Sequence, residues 1–503
     1  MSGGADAVRE CIDGAAVVRF PRGRDDDGGG RDINLELADK EFNDLGNGDR
    51  FRARHGADLI YVKDVGEHQW TGTHWSPEGA AERWLRAAHE TARSVVEEAD
   101  ALQKRGGNGD ERRAKMLLDW AVESGDKRRT AAMIAQAVPY LTVGPRELDA
   151  DPMILNLENG TLRIEGSCDD LRKHCRDDLL AKVMPVAFDP AATCHAFHDF
   201  LCEVQPDPER RLFLQVFGGY CLTGDTREQK LLFNFGEGSN GKSVFVDLLA
   251  KIMGPYAVTL PFSSLLRDDR KRGSEATPDL ARLPGARMVR ASEPEKGAAF
   301  AEATIKSITG GEEFPVRRLR HDFFDMVPMF KLILSGNHRP RIRGGDHGIW
   351  RRFLLVPWEV IIPDERQDKT LPAKLWEERS GVLNWLLDGA RIWLEKGLVV
   401  PAAVRAATDE YRRDSDPLGR FIEDCVNREE GQSVPAARLY AAFVSWCRAN
   451  AERPWSQKAF GQGLPERGFR RVKKAFGNEY ADIVLHDVPS EDETPPPPGP
   501  EDF

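Results

Sequence analysis

Leu-Leu-Phe-Asn-Phe-Gly-Glu-Gly-Ser-Asn-Gly-Lys-Ser, residues 231–243, is the stretch on which the reading of this 503-residue chain turns. Residues 231–235 form a short apolar run stopped by Gly236, the pattern of a buried strand. From Ser243 the chain continues Val-Phe-Val-Asp-Leu-Leu-Ala-Lys-Ile-Met, spaced for a helix that Gly254-Pro255 closes. Between them Gly236, Gly241, Lys242 and Ser243 satisfy the phosphate-loop pattern of Gly, four residues, Gly-Lys-Ser. The chemistry explains these residue types. Backbone N–H groups of residues 236–243 (Gly236, Glu237, Gly238, Ser239, Asn240, Gly241, Lys242, Ser243) must converge on phosphate oxygens, so bulky side chains are excluded from the turn. The helix N-terminus then adds its partial positive charge. Lys242 is expected to reach the β- and γ-phosphates, and the Ser243 hydroxyl to ligate Mg²⁺. Binding of a nucleoside triphosphate is the first expectation.

Composition narrows the remainder. The length implies two to four domains. Charged residues make up 30% of the chain, no run of about 18 apolar residues occurs, and the N-terminus lacks a signal core; these point to a cytoplasmic protein with no membrane partner. A net charge of -11 argues against uniform coating of nucleic acid and leaves that question to local patches. Eight scattered cysteines fit a reducing compartment. Cys168, His174, Cys175, Cys194, His195, His198 and Cys202 cluster in sequence but contain no Cys-x2-Cys knuckle, so they are read as ordinary thiols and imidazoles rather than a zinc site.

Residues 1–41, with Asp25-Asp-Asp and Gly28-Gly-Gly, read as a flexible lead. Residues 42–205 read as an α+β domain. Short antiparallel strands are expected around 58–63, 69–70 and 74–75, helices over 79–139, and a hairpin about Asn159-Gly160. Residues 206–400 would hold the phosphate-loop ATPase domain, 401–488 a helical linker and DNA-binding module, and the proline-rich, acidic 489–503 a disordered tail. Within 206–400, three strands are flanked by chemically useful groups. Arg287-Met-Val-Arg-Ala-Ser-Glu-Pro-Glu ends in Glu293, with Glu295 two residues on; a fixed carboxylate beside a phosphate loop can hold Mg²⁺ and polarise water. Phe330-Lys-Leu-Ile-Leu-Ser-Gly-Asn ends in Asn337, able to hydrogen-bond a γ-phosphate or the attacking water. Gly348-Ile-Trp-Arg-Arg places Arg351 and Arg352 before a further strand, suited to donating positive charge.

These words, together with Lys306 and Ile308-Thr-Gly-Gly, Gly46-Asn-Gly-Asp-Arg, Asp151-Pro-Met-Ile-Leu-Asn-Leu-Glu-Asn-Gly and Gly219-Tyr-Cys-Leu-Thr-Gly-Asp, make residues 42–485 resemble the phage and plasmid primase-helicases of helicase superfamily 3, the group with poxvirus relatives. The resemblance implies an α/β P-loop NTPase of the AAA+-like superfamily 3 type, preceded by an α+β domain and followed by a winged helix. It implies ATP and Mg²⁺ at Lys242 and Ser243, Glu293 as the acidic metal-binding position with Glu295 as a weaker candidate, and Asn337 as polar sensor. Arg352, with Arg351 second, would be an arginine finger entering a neighbouring subunit's site. That arrangement calls for a closed homo-hexameric ring.

DNA contact is expected at two places. A hairpin carrying Arg317, Arg318, Arg320 and His321 would line the ring's pore, where sequence-independent phosphate contact suits translocation. Between Ser433 and Gly477 nine Lys or Arg stand against two Glu, and two helices followed by the basic Arg470-Arg471-Val-Lys473-Lys474 suggest a winged helix, with Lys458 on its second helix. The expected function is an ATP-dependent helicase that moves on single strands and unwinds forked DNA during phage, prophage or plasmid replication. Longer members of the resembled family carry a primase ahead of the motor. Forty lead residues cannot house one, so any primase is expected on a separate chain. An ATP-switched origin-binding initiator or loader is the first alternative, and a small-molecule phosphotransferase the second.

Overall fold

This computed structural model describes residues 32–165, 171–267, 278–292, 298–317, 323–342, 347–474 and 477–486. Glu293, Glu295, Arg318, Arg320, His321, Cys168, most of the expected lead and the expected tail lie outside these residues. The chain divides into two compact units, one of residues 1–192 with 252–256, the other of residues 193–251 with 257–503. This division by packing falls at 192. His195–Val204, assigned from sequence to the N-terminal domain, lies in the second unit, where Phe197 packs on Phe245 and Trp385.

In the first unit the long helix Ala80–Arg105 buries Trp84, Ala88, Ala92, Val95, Ala99 and Leu102, a stripe at the three-to-four spacing of an amphipathic helix. Helices Asp110–Ser124 and Lys127–Leu141 accompany it, and a four-stranded sheet is built from Leu59–Val62, Gly66–Trp70, Trp75–Ser76 and Thr142–Val143. The Asn159-Gly160 turn joins Ile154–Leu157 to Gly160–Arg163 in an antiparallel pair. Two elements differ from the expectation. Residues 33–38, placed in the flexible lead, form a short helix with Asp32 as its N-cap and Leu37 and Ala38 buried. Asp44–His55 is a helix whose inner face joins the apolar Phe51 to the polar Asn47 and Arg50. Arg50 and Glu98 pair at 2.9 Å with both side chains fully buried, and Asn47 accepts from Trp120 and donates to Ser124.

The second unit is organised on a five-stranded, wholly parallel sheet. In chain order its strands are β1 (Leu231–Phe235), β2 (Ala257–Thr259), β3 (Met288–Ser292), β4 (Lys331–Gly336) and β5 (Phe353–Pro357), and their spatial order is β5-β1-β4-β3-β2. The register is aligned across the centre: Phe353 opposes Leu231, Leu231 opposes Leu332, and Leu332 opposes Val289. The central strands are buried on both faces, so they read as mostly apolar runs rather than alternating ones. Leu231, Phe233, Leu334 and Leu355 pack on one side with Ile305, Ile349 and Tyr411. α1 (Lys242–Met253), which starts directly from the phosphate loop, buries Phe245 against Phe197, Trp358 and Trp385. Because β4 is inserted between β1 and β3, the loop after β1 has the end of β4 on one side and the end of β5 on the other.

The same unit ends in helices Pro417–Cys425, Ala436–Ala449 and Gln457–Glu466 around an antiparallel sheet of Val426–Pro435, Gly477–Leu485 and Arg471–Lys474, in that spatial order. Leu418, Phe421, Phe443, Trp446 and Phe460 form its core. Arg471–Lys474 is the edge strand, which leaves the side chains of Arg471 and Lys473 exposed.

Candidate nucleotide-binding site

The loop between β1 and α1 is tightly shaped. Gly238, Ser239 and Gly241 hold φ of 114°, 44° and 80°, in the left-handed region that favours glycine. Packing constrains it further. A Cβ at Gly236 would stand 2.2 Å from the Trp358 carbonyl oxygen, and one at Gly241 would stand 2.7 Å from Val204 Cγ1 and 3.0 Å from Phe200. The segment after β5 braces the turn. The Trp358 amide donates to Phe235 O (2.7 Å), Asn240 Nδ2 to Trp358 O (3.1 Å), the Ile362 amide to Ser239 O (2.8 Å), and Trp358 Nε1 to Asn234 Oδ1 (2.9 Å). Each neutral bond is worth about 1 kcal/mol, and together they fix the loop before any ligand arrives. Phe200, Val204 and Trp358 were not singled out from sequence, since nothing local marks residues that act on a loop so far away in the chain.

Lys242 lies in this cradle with its ammonium donating to Gly236 O (2.7 Å), Asn240 Oδ1 (2.9 Å) and Asn337 Oδ1 (3.4 Å). All three acceptors are neutral, and burial brings the lysine's pKa down to about 8. A cation satisfied only by neutral groups, at the first turn of a helix and beside exposed Ser243, is an arrangement suited to an anion. Asn337 follows the last residue of β4, and the Gly336 carbonyl accepts from the Gly236 amide, so the expected sensor and the loop lysine are in contact. β3, the strand that leads into Glu293, ends at the same edge, with Ser292 opposite Ser335. Two residues beyond Asn337, the Arg339 guanidinium lies over the Phe235 ring and donates to Glu410 (3.1 Å) and Asp414 (2.8 Å) of helix Ala402–Asp414.

The two arginines before β5 are separated by the structure. Arg352 is 8% exposed; its Nε donates to Thr309 Oγ1 at 3.1 Å and its guanidinium to the Gly348 carbonyl. It is a buried tie to helix Glu302–Gly310. Arg351 is the exposed one, with its guanidinium donating to Gln229 Oε1 at 2.7 Å. Because β1 and β5 run parallel and in register, Arg351 and the loop lie at opposite ends of the sheet, roughly 20 Å apart at the ~3.3 Å rise of a parallel strand. Arg351 therefore cannot reach the loop of its own chain.

Of the expected DNA contacts, Arg317 closes an antiparallel pair between Phe314–Arg317 and Phe323–Met326, with its guanidinium over the Phe323 ring. Arg470 pairs with Asp482 (3.0 Å) and Lys474 with Glu479 (2.7 Å), while Lys458 is exposed on its helix. No group of three or more potential metal ligands occurs among the described residues. Among them no helix is long and apolar enough to cross a membrane. The Cys194 thiol is pushed up to about 11 by burial, and Cys202 lies 3.8 Å from His198.

Residues 48–206 match the family described as D5 N terminal like, residues 413–488 the family described as poxvirus D5 protein-like, and residues 234–352 a family of unknown function. A putative helicase of Acanthamoeba polyphaga mimivirus is 27% identical over 61% of this chain and 34% of its own length. For a putative helicase of frog virus 3 the figures are 28%, 52% and 29%. For a putative primase of African swine fever virus they are 22%, 60% and 34%. The matched region thus spans about a third of these relatives. An apo structure of the NrS-1 C-terminal region is 13% identical, with a TM-score of 0.40, over 60% of this chain and 77% of that one. The chain is similar at both ends to poxvirus D5-type proteins, and its relatives are named as helicases and primases of large DNA viruses.

Proposed function

We propose that this chain is an ATP-dependent DNA helicase that acts in DNA replication as a closed ring of identical copies, a hexamer by the resemblance. The observation that carries the reading is the division of the second unit's sheet. One edge holds a pre-shaped phosphate loop with a partly desolvated lysine, and the other exposes Arg351 too far away to serve that loop. A loop at one end and an arginine at the other fit a head-to-tail assembly, in which each copy's arginine faces the next copy's loop.

In this mechanism the loop amides and Lys242 take the triphosphate. Lys242 exchanges its neutral carbonyl acceptors for phosphate oxygens and is held fully charged. The glycine cradle and exposed Ser243 fit a Mg²⁺ nucleotide, with Ser243 and Glu293 as the residues that would hold the ion. When bound, Mg²⁺ neutralises charge on the β- and γ-phosphate oxygens. Asn337, already touching Lys242, orients the γ-phosphate or the attacking water. Arg351 of the adjacent copy adds positive charge as negative charge builds on the transferred γ-phosphoryl group and the departing diphosphate. The hairpin that carries Arg317 and the basic edge strand with Arg471 and Lys473 supply sequence-independent phosphate contacts to single-stranded and forked DNA.

Strand displacement on a forked duplex tests this. The intact protein with ATP should release the strand, and Lys242→Ala should not. ATP turnover stimulated by single strands without any displacement would instead favour an ATP-switched loader. Turnover indifferent to DNA from a monomer would contradict both.

A further inference from the structure

Helix Glu302–Gly310 ends beside both arginines, and its carboxyl end bears the partial negative charge of a helix C-terminus. Arg352 is fastened there through Thr309. Arg351 is not fastened to the helix directly; a third residue stands between. Gln229, two residues before β1, donates from Nε2 to the Gly310 carbonyl at 2.9 Å and accepts from the Arg351 guanidinium through Oε1 at 2.7 Å. One planar amide thus uses both of its ends at once. The neighbouring Lys230 donates to the Arg351 backbone carbonyl at 2.5 Å, so the arginine is held from its main chain as well as from its tip. The backbone at Gln229 is unusual: φ is 53°, a region costly for a side-chain-bearing residue other than Asn or Asp, and its amide donates to Thr226 O at 3.0 Å to close the turn. A glycine would sit there with less strain. A long amide is found instead, at the same level of the sheet as the exposed arginine.

We infer that Gln229 is a positioning residue for the exposed arginine: it aims Arg351 away from its own chain and toward the phosphate loop of the adjacent copy. This rests on the ring reading above and adds a named residue to it. An unsupported arginine on a surface samples many rotamers, and confining it beforehand removes that entropy cost from the catalytic step. The amide suits the task better than a carboxylate would. It accepts one bond from the guanidinium without neutralising it, and its NH₂ is anchored on a helix end where a second carboxylate oxygen would be repelled.

The test uses the full-length chain with single-stranded DNA and four variants: Gln229→Ala, Gln229→Gly, Arg351→Ala and the Gln229→Ala/Arg351→Ala double variant. Both Gln229 variants should bind an ATP analogue as the parent does and turn over ATP roughly 10- to 100-fold more slowly, the range of a lost hydrogen bond to a charged group. Gln229→Gly relaxes the backbone, so its loss of turnover cannot be ascribed to a misfolded turn. The double variant should be no slower than Arg351→Ala alone. Mixing Gln229→Ala with Lys242→Ala copies should restore turnover, because the first keeps an intact loop and the second an intact arginine edge. Slow Arg351→Ala with parental Gln229 variants, or full additivity in the double variant, would overturn the inference and leave the arginine's role standing. Full turnover by Arg351→Ala would overturn both.

Discussion

The two ends of the five-stranded sheet are made of similar material and treated in opposite ways. At the end where β1, β3 and β4 finish, a lysine is drawn inward onto neutral carbonyls and partly desolvated. At the end where β1 and β5 begin, one arginine is buried as a tie and its neighbour is held out at the surface by an amide. The first end has a cradle for a polyanion, and the Arg339 guanidinium beside it is committed to Glu410 and Asp414. The second has the exposed Arg351 and no cradle. On the reading proposed above, the arginine that serves a given loop comes from another copy, so the complete site is expected only where the two ends of different copies meet.

The comparison breaks most severely at the loop. Lys242→Ala should abolish hydrolysis, as measured by phosphate release, and leave the arginine edge competent. Next comes the pair before β5. Arg351→Ala should keep nucleotide binding and slow turnover by about 10³-fold or more, the range of an arginine finger. Arg352→Ala should act on stability instead, by about 1–3 kcal/mol, because it removes the bonds of a buried guanidinium to Thr309 and Gly348. Kinetics and thermal melting on the two variants therefore separate roles that adjacent positions hide. Phe200→Ala comes third. By removing the ring packed under Gly241 it should weaken binding of an ATP analogue more than it weakens subunit association.

The smallest effect is on pH. The folded pKa of Lys242, about 8, lies below the ordinary lysine value, and phosphate contact favours the charged form. Nucleotide affinity of the free protein should therefore be level below about pH 8 and fall, by up to tenfold per unit, as pH rises through it. The same depression makes the unfolded chain bind more protons between pH 8 and the ordinary lysine value, so this group's contribution to stability rises with pH in that window. Lys242→Arg keeps its charge and should remove the inflection.

How much of this was readable beforehand follows from the range of each interaction. The loop was legible because strand, glycines, lysine and helix are contiguous, and every requirement of phosphate binding falls within thirteen residues. Asn337 was legible as a polar group ending an apolar strand. The choice between Arg351 and Arg352 was not, because successive residues entering a strand point to opposite sides and the sequence does not say which side is covered. Trp358, Phe200 and Gln229 act through bonds to distant segments, so no local pattern betrays them. Helix Asp44–His55 escaped because, apart from Phe51, its buried side chains are the polar Asn47 and Arg50, satisfied by Trp120, Ser124 and Glu98, so no apolar stripe marks it.

The split between the two ends is tested most directly by mixing Arg351→Ala with Lys242→Ala protein, each inactive by itself, and measuring ATP turnover with single-stranded DNA. Joint ownership of each site predicts that the mixture recovers a substantial fraction of the parental rate, since an intact loop then meets an intact arginine at some junctions. A mixture as inactive as its components, or an Arg351→Ala protein that is fully active alone, would contradict it.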